Sequence, residues 1–466
     1  MANLLSSVNL ALSALLSHQQ SVQVNEHNVA NVNTPGYRRQ SAVLSAGPAV
    51  TLSNSYYGTG IGQMGSGVYV SQIQRFAIDF YDSRYRAEKQ ESMKWSTERN
   101  ILRLMESVMA ETSTDGMLPK LDAFFKGWQA LADNPTDMSV RRELLDSAKA
   151  LASAINSRSI QIESIRSEQD LAIKQRVQEI NQLSSQIAGL NREIARVFSV
   201  GDSPNDLLDA RDSALDRLSE LAGAASFRQE NGEILVSIAG HILVGGQESY
   251  DLSTEMDPTN ESLSKIVWAD GKQLIPSTGE LAGLLEARDI VINKQRAGLN
   301  QLSSTLRDSV NAIHNTGFGL DGTTGENFFV GIDAGSLKVN SLLNSVEKIG
   351  ASSQLNEPGN NEIAQALFKL RTSTAMSTNT ATFNQFYNDL VSSLGLSVKR
   401  ATINANDREL VSQALSMQRE SVSGVSLNEE AANIVKSQKA YEAAARLMST
   451  IDSMLDTVIN RMGAGR

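Results

Sequence analysis

The chain has 466 residues, with 42 Lys and Arg against 52 Asp and Glu; its net charge of -10 is the wrong sign for a protein whose main task is to grip nucleic acid phosphates. Apolar residues at 41% and aromatic ones at 5% allow a sizeable but mostly aliphatic core, over a length of about three average domains. There is no cysteine, which excludes disulfides, thiol catalysis and cysteine-based metal sites together, and no apolar run of about 18 residues that would cross a bilayer as a helix.

The N-terminal stretch is unusual for its lack of charge: Glu26 is the first acid and Arg38 the first base. Without a basic head it does not read as a secretory signal, and by that criterion alone the chain reads as cytoplasmic. A helix is expected over Asn3 to Asn31. Leu5, Val8, Leu12, Leu15, Gln19, Val22, Glu26 and Val29 alternate by three and four, a heptad seam with two polar interruptions. Asn33-Thr34-Pro35-Gly36 ends it, proline fixing φ and glycine permitting a positive one. Residues 46–75 read as a linker with an extended segment. Within it, Gly60-Ile61-Gly62-Gln63-Met64-Gly65 matches G-x-G-x-x-G, but Val68 to Ile73 alternates like a strand where a dinucleotide site needs a helix N-terminus. A flexible turn is the expected reading.

Prolines at 35, 48, 119, 135, 204, 258, 276 and 358 leave 135–204 and the chain beyond 358 open to long helices. One seam runs through Ile173, Val177, Ile180, Leu183, Ile187, Leu190, Ile194 and Val197. A second, with Ser277 and Glu280 as a capping box, runs through Leu281, Leu285, Ile292, Leu299, Leu302, Leu306 and Ile313. Between them, Asn231-Gly232 and Asp270-Gly271 each lie between β-prone arms, the signal of type I′ hairpins. These hairpins close locally, so the insertion is expected to be removable without disturbing the helices. Near the C-terminus Ser426 and Glu429 form a capping box. Leu427, Ala431, Ile434, Gln438, Tyr441, Ala445, Met448, Asp452, Leu455, Ile459 and Met462 then keep the three-four spacing until Gly463. As one helix, Leu427 to Met462 would be roughly 54 Å long.

Catalytic chemistry finds no footing. His18, His27, His241 and His314 show no H-E-x-x-H spacing, and no G-x-S-x-G elbow is present. Asp321 to Glu326 lacks the alternating ligands of a calcium loop, and Glu429-Glu430 is accounted for by the cap and the helix dipole. No cofactor or metal site is expected.

The fold expected is mainly α with a small inserted β domain, elongated and built of discontinuous domains. Residues 1–45 and 424–466 form a terminal coiled coil; 76–222, 277–316 and 361–423 form a helical bundle; 223–276 with 317–360 form an outer β-rich domain. A charge-free helix suits burial among other subunits, where unpaired charge is costly to desolvate while Ser, Asn and Gln find partners. The assembly surface is expected at Leu5, Val8, Leu12, Leu15, Val22, Asn28, Asn31, Leu427, Ile434, Tyr441, Met448, Leu455 and Ile459. Gln19, Glu26, Gln438 and Asp452 are expected to set the register.

Four stretches carry a resemblance. Asn25-Glu26-His27-Asn28-Val29-Ala30-Asn31-Val32-Asn33-Thr34-Pro35-Gly36-Tyr37-Arg38-Arg39-Gln40, continued by Gly67 to Asp79, resembles the N-terminal signature of bacterial flagellar axial proteins. Asn205-Asp206-Leu207-Leu208-Asp209-Ala210-Arg211-Asp212 is one of three that narrow it to the hook-associated protein 1 family. Another is Gly279 to Leu285 with Arg288-Asp289 and Val310 to Gly317. The last is Ser423 to Asn433, running on through Gln438 and Tyr441 to Asp456.

The resemblance implies a structural protein, not an enzyme, forming a short ring-like zone between hook and filament and templating filament assembly. It implies terminal helices in the innermost layer. It also implies export through the flagellar type III channel without a cleaved signal, which replaces the cytoplasmic reading by an extracellular one. The implied partners are the hook protein, hook-associated protein 3, further copies of the chain, and an export chaperone at the C-terminal helix, with no nucleic acid and no membrane insertion. Many members carry larger outer domains than the insertion here. The alternatives are another axial protein of hook or rod type, a flagellum-associated wall hydrolase, and a cytoplasmic coiled-coil signalling protein.

Overall fold

The computed structural model describes residues 2–53, 60–110 and 116–461; side chains are not described at 2–5, 50–64 and 460–461. Helix α1 (Ala2–Ala30) leads into four strands, β1 (Gln40–Ala46), β2 (Ala49–Ser53), β3 (Gly60–Gly65) and β4 (Val68–Arg75). They pair antiparallel as β1 with β4 and β2 with β3, so the chain runs out along a narrow ribbon and back. The G-x-G-x-x-G stretch is therefore strand β3 and not the turn expected of it; its alternate glycines leave a ladder that any backbone can pair with.

Long helices follow: α2 (Asp79–Met109), α3 (Met117–Asp133), α4 (Met138–Ser199) and α5 (Asn205–Ala222). The 62 residues of α4 span about 93 Å. Asp137 caps it, its carboxylate accepting from the Ser139 and Val140 amides, and the proline-free sequence beyond lets it run. Its buried stripe is Ile173, Val177, Ile180, Ile187 and Ile194, as the seam predicts.

The second seam is not one regular helix. Helix α6 (Gly279–Glu286) passes through a π-helical turn at Ala287–Ile292 into α7 (Asn293–His314). Nor is Ser277 its cap: Thr278 occupies the N-cap without a side-chain hydrogen bond, and the Glu280 carboxylate instead meets Arg176 at 2.7 Å. Gly279 has φ +83, and a Cβ there would sit 2.8 Å from the backbone of Leu221 and Ala222, so the two helices cross on a glycine.

The inserted strands are β5 (Ala225–Arg228), β6 (Ile234–Ile238), β7 (His241–Gly245) and β8 (Glu248–Ser249) in one sheet, with β9 (Leu252–Asp257) and β10 (Leu263–Trp268) paired separately. At both turns only the glycine has positive φ, +83 at Gly232 and +81 at Gly271, so these are longer loops and not two-residue type I′ turns. The insertion is also no detachable ornament. Asn181 bonds both backbone groups of Leu252, Asn191 both of Ile234, and Asp170 takes the amide and hydroxyl of Ser264. Val236, Ile238, Val244 and Trp268 belong to the same apolar core as Ile173 and Ile187 of α4. Removing residues 225–274 would strip that face of α4, contrary to the expectation from local closure.

Residues 317–360 do not join this sheet. Strands β11 (Phe329–Val330) and β12 (Lys338–Val339) pair only with each other. Their segment packs on α4 and α7, where Asn156 bonds the Ala334 carbonyl and Asn311 that of Phe329. Helix α8 (Glu362–Lys369) packs on α3. Helix α9 (Phe383–Ser423) then returns along α2, opened by a full capping box between Thr382 and Gln385. Helix α10 (Leu427–Asp456) turns back along α1, ending in a π-helical turn to Arg461. Met462 and Gly463, the expected end of this helix, lie outside the described residues.

Candidate assembly surface

Three of the sequence stretches, far apart in the chain, form one joint between the α1–α10 pair and the body. Asn28 lies fully buried at its centre. Its amide nitrogen donates to the Gln40 carbonyl at 2.7 Å and to Glu430 at 2.9 Å. Its oxygen accepts from the Gln40 amide at 2.9 Å and the Tyr37 hydroxyl at 2.8 Å. Asn31 donates to the His27 carbonyl and accepts from Thr34, closing the end of α1. Asn28 thus has both amide N–H groups and its oxygen bonded inside its own chain, which leaves it nothing for a neighbour, whereas Asn31 is only half-buried and keeps one N–H outside these bonds.

Around them the signature arginines bind the body. Arg38 donates its backbone N–H to Asp209 at 3.0 Å and its guanidinium to Asp82 at 2.6 Å; Arg39 pairs with buried Glu430 at 2.7 Å and takes the Ser423 carbonyl. Arg75 reaches Asp209 and Asp212, and Arg86 and Arg419 both reach Asp216. Asn205, Asp209 and Asp212 recur by four and three, so one face of α5 presents all of them to this cluster. Burial alone would raise the Asp212 carboxyl, but Arg75, Arg86 and Arg38 hold it down to about 2. At Asp209 the balance goes the other way: burial outweighs Arg75, and its carboxyl is raised. Burial, Asp206, Asp209 and Glu430 raise the Tyr37 phenol, keeping it a hydrogen-bond donor. Ion pairs drawn from α2, β4, α5, α9 and α10 converge here and join the terminal pair to the body.

The terminal pair itself is only half closed. On α1 the buried residues are Ala11, Ser17, Ser21, Val24, Asn25 and Asn28, small enough for β4 to approach until the Ser17 hydroxyl bonds the Val68 carbonyl. The expected seam of Val8, Leu15, Val22 and Val29 is half-buried, Leu12 is exposed, and Leu5 falls among the undescribed side chains. On α10 the buried stripe is Glu430, Ala444 and Ile451, spaced by fourteen and seven. Ile434, Met448 and Leu455 flank it half-buried, while Leu427, Tyr441 and Ile459 are exposed. The seam is rotated from the one expected because the buried Asn28–Glu430 bond, and not the apolar repeat, pins α10 against α1. Gln19, Glu26, Gln438 and Tyr441 still meet, lining a groove of about 370 Å³ between the two helices.

The pair leaves several large apolar side chains outside, among exposed charges such as Lys439, Glu442 and Arg446: Leu12, Leu16, Leu427, Val435, Leu447, Met454 and Ile459 stand 43–60% exposed. Leu16, Val435, Leu447 and Met454 lie off the seam and escape a heptad reading; the absence of charge through the first 25 residues signals Leu16, and nothing comparable marks the three on α10. Rows of exposed large apolar side chains on one element mark an interaction surface. Among the described residues, no group of three or more His, Asp or Glu is placed to hold a metal ion.

Comparison with known proteins gives a consistent picture. Residues 102–329 match the family described as the flagellar hook-associated protein FlgK helical domain, and 418–462 the flagellar basal body rod FlgEFG protein C-terminal family. Flagellar hook-associated protein 1 of Bacillus subtilis is 28% identical, over 98% of both chains. That of Salmonella typhimurium is 27% identical over 98% of this chain and 99% of its own. The flagellar hook junction protein FlgK from Burkholderia pseudomallei shares the fold, with a TM-score of 0.66 at 18% identity over 73% of this chain and all of that one.

Proposed function

We propose that the chain is a member of the flagellar hook-associated protein 1 family, a structural subunit of the bacterial flagellum seated between hook and filament. The observation that supports a built part over a catalyst is the terminal pair, whose exposed Leu12, Leu16, Val435, Leu447 and Met454 are left uncovered by the described residues of its own chain. Copies side by side would bury those side chains in an inner layer, with the joint at Asn28, Arg38 and Arg75 orienting each body outward. In this reading α10 and α1 touch neighbouring copies laterally, the hook protein on one side and hook-associated protein 3 on the other, and the layer templates filament growth. Before assembly the C-terminal helix is held by an export chaperone, and the chain leaves the cell through the flagellar type III channel.

A strain lacking the chain should make hooks without filaments and shed flagellin into the medium, and the complementing chain should be recovered from sheared flagella. Full-length filaments in the deletion strain, or a chain found only inside the cell, would defeat the reading; the second result is what a cytoplasmic signalling protein would give.

A further inference from the structure

Helix α9 carries large apolar side chains on two opposite sides, the outer ones interspersed with Arg400 and Asp407. Leu390, Leu394, Val398, Ala401 and Ala405 are buried against the body. Two residues from these, about 200° round the helix, Leu396, Ile403, Leu410 and Met417 stand 69%, 49%, 66% and 68% exposed. They are spaced by seven and make a straight row about 31 Å long. A helix with large apolar side chains on both sides is suited to lie between two layers, and among the described residues the chain supplies only one.

The layer it has is α2, joined by α7 beside Leu390. Glu88, Ser92 and Arg99 of α2 bond Arg408, Glu409 and Asn406 of α9, while Lys94 of α2 reaches Glu286 of α6, and near the C-terminal end of α9 Arg419 shares Asp216 of α5 with Arg86. Helix α4 packs beyond, on α5 and α6, and makes no substantial contact with α9. It too has an exposed seam pointing away from the core: Ser153, Ser157, Ile160, Ser164, Ser167 and Leu171, by four and three, with Ile160 and Leu171 63% and 57% exposed. Its hydroxyl-bearing positions are small enough to receive large side chains, over about 27 Å.

We propose that the outer row of α9 docks on the outer seam of α4 in a second copy of this chain, head to tail. This rests on the reading of the chain as a subunit of a repeating layer. The size of the row argues for that occupant. At about 100 Å² per side chain it offers roughly 400 Å², half of the ~800 Å² per partner typical of a stable complex. Such a contact does not hold a free dimer; it closes where other contacts, those of the terminal pairs, already set copies side by side. Two different faces meeting is a heterologous contact, which propagates into a ring or helix instead of stopping at a pair.

The absence of native cysteine makes the test direct. Flagella from a deletion strain complemented with the paired variant Ile403→Cys, Ser164→Cys, and with the one-turn-shifted pairs Ile403→Cys, Ser157→Cys and Leu410→Cys, Ser164→Cys, are oxidised and run without reductant. A ladder of dimers, trimers and higher multimers from at least one pair, and no dimer from Leu410→Cys alone, is expected. Chain present in sheared flagella with no ladder from any pair overturns this contact alone, as does a strong dimer from the single cysteine, which would mean α9 meets itself. Chain absent from the flagella of the cysteine-free parent overturns the junction reading as well. Ile403→Gln with Leu410→Gln should leave the thermal midpoint of the monomer unchanged, since neither side chain is buried there, and lower incorporation into flagella about tenfold or more. Normal incorporation of that variant also overturns the contact.

Discussion

The two ends of this molecule are finished to different degrees. At the far end of the body, Phe124, Phe125, Trp128, Phe328, Phe329 and Phe383 are all buried to within 1% of complete, their ring centroids 4.9–6.3 Å apart. A chain with 12 Phe and 3 Trp in all has spent much of its aromatic content there, and α1 and α10 hold none of either. The terminal pair is aliphatic and thin, and it leaves large apolar side chains such as Leu16, Val435 and Met454 exposed on the side that faces away from its own chain. The far end is a core closed by one chain. The terminal pair is a core that one chain leaves open, so its function is written in what it exposes.

That contrast breaks most sharply under truncation. Trp128→Ala should cost about 3–5 kcal/mol in the folded monomer, read as a lower urea midpoint, because the cavity lies among side chains that have no room to collapse. If it cost under ~1 kcal/mol, the far end would be no more closed than the terminal pair. The joint between the two regions comes next. Asp212→Ala leaves the Arg75 and Arg86 guanidiniums buried without their shared partner, and should cost about 3 kcal/mol or more in the same measurement. Arg419, paired with Asp216, would remain as a control whose neutral substitution costs less, since it is more exposed.

Acid separates the same two regions by pH. His314 sits in the far core, one ring nitrogen accepting from the Gly350 N–H at 2.9 Å and the other donating to the Glu326 carbonyl at 2.7 Å. Burial, with Arg141 nearby, lowers its imidazolium to about 4 from an ordinary 6.5, although the Glu326 carbonyl acts the other way. The unfolded chain therefore binds a proton that the folded one refuses between these values. Stability contributed by the neutral ring is complete above pH 6.5 and falls by roughly 3 kcal/mol as pH drops to 4. At the joint, Asp212 is lowered from 3.8 to about 2, so its contribution is complete above pH 3.8 and is lost only below that. Urea midpoints between pH 7 and 4 should decline in the parent and flatten in His314→Gln; an unchanged slope would mean that the ring does not govern that window.

The smallest effect on folding is expected where the effect on assembly is largest. Leu16→Ser with Met454→Ser should move monomer stability by no more than ~0.5 kcal/mol per site, as exposed substitutions do, while abolishing recovery of the chain from sheared flagella. A large loss of monomer stability would show that these side chains are already packed in the free chain.

The helical course of the chain was readable because its causes are local. The apolar period of α4, the Ser426 cap of α10 and the Pro-Gly turn after α1 act within a few residues of themselves. The motifs that name the family were readable too, as residues. Their meeting was not, since Asn28 and Glu430 are 402 positions apart and no periodicity connects them. For the same reason the seam of α10 was placed about one residue off: a heptad repeat shows that a helix has an apolar stripe, while a buried hydrogen bond chooses which edge of it turns inward. The capping box at Ser277 failed on a similar competition, Glu280 being drawn to Arg176 from another helix.

By itself, then, the sequence determined that the chain is helical, cysteine-free and charge-poor at its N-terminus, and that its ends carry apolar stripes, because propensity, caps and side-chain period are properties of neighbouring residues. Only the tertiary structure decided that the β insertion is built into the face of α4, that residues 317–360 close the far aromatic core, and that three scattered motifs make one charged joint. Those are outcomes of which distant surfaces exclude water from one another and which buried charges find partners, and neither is a local quantity.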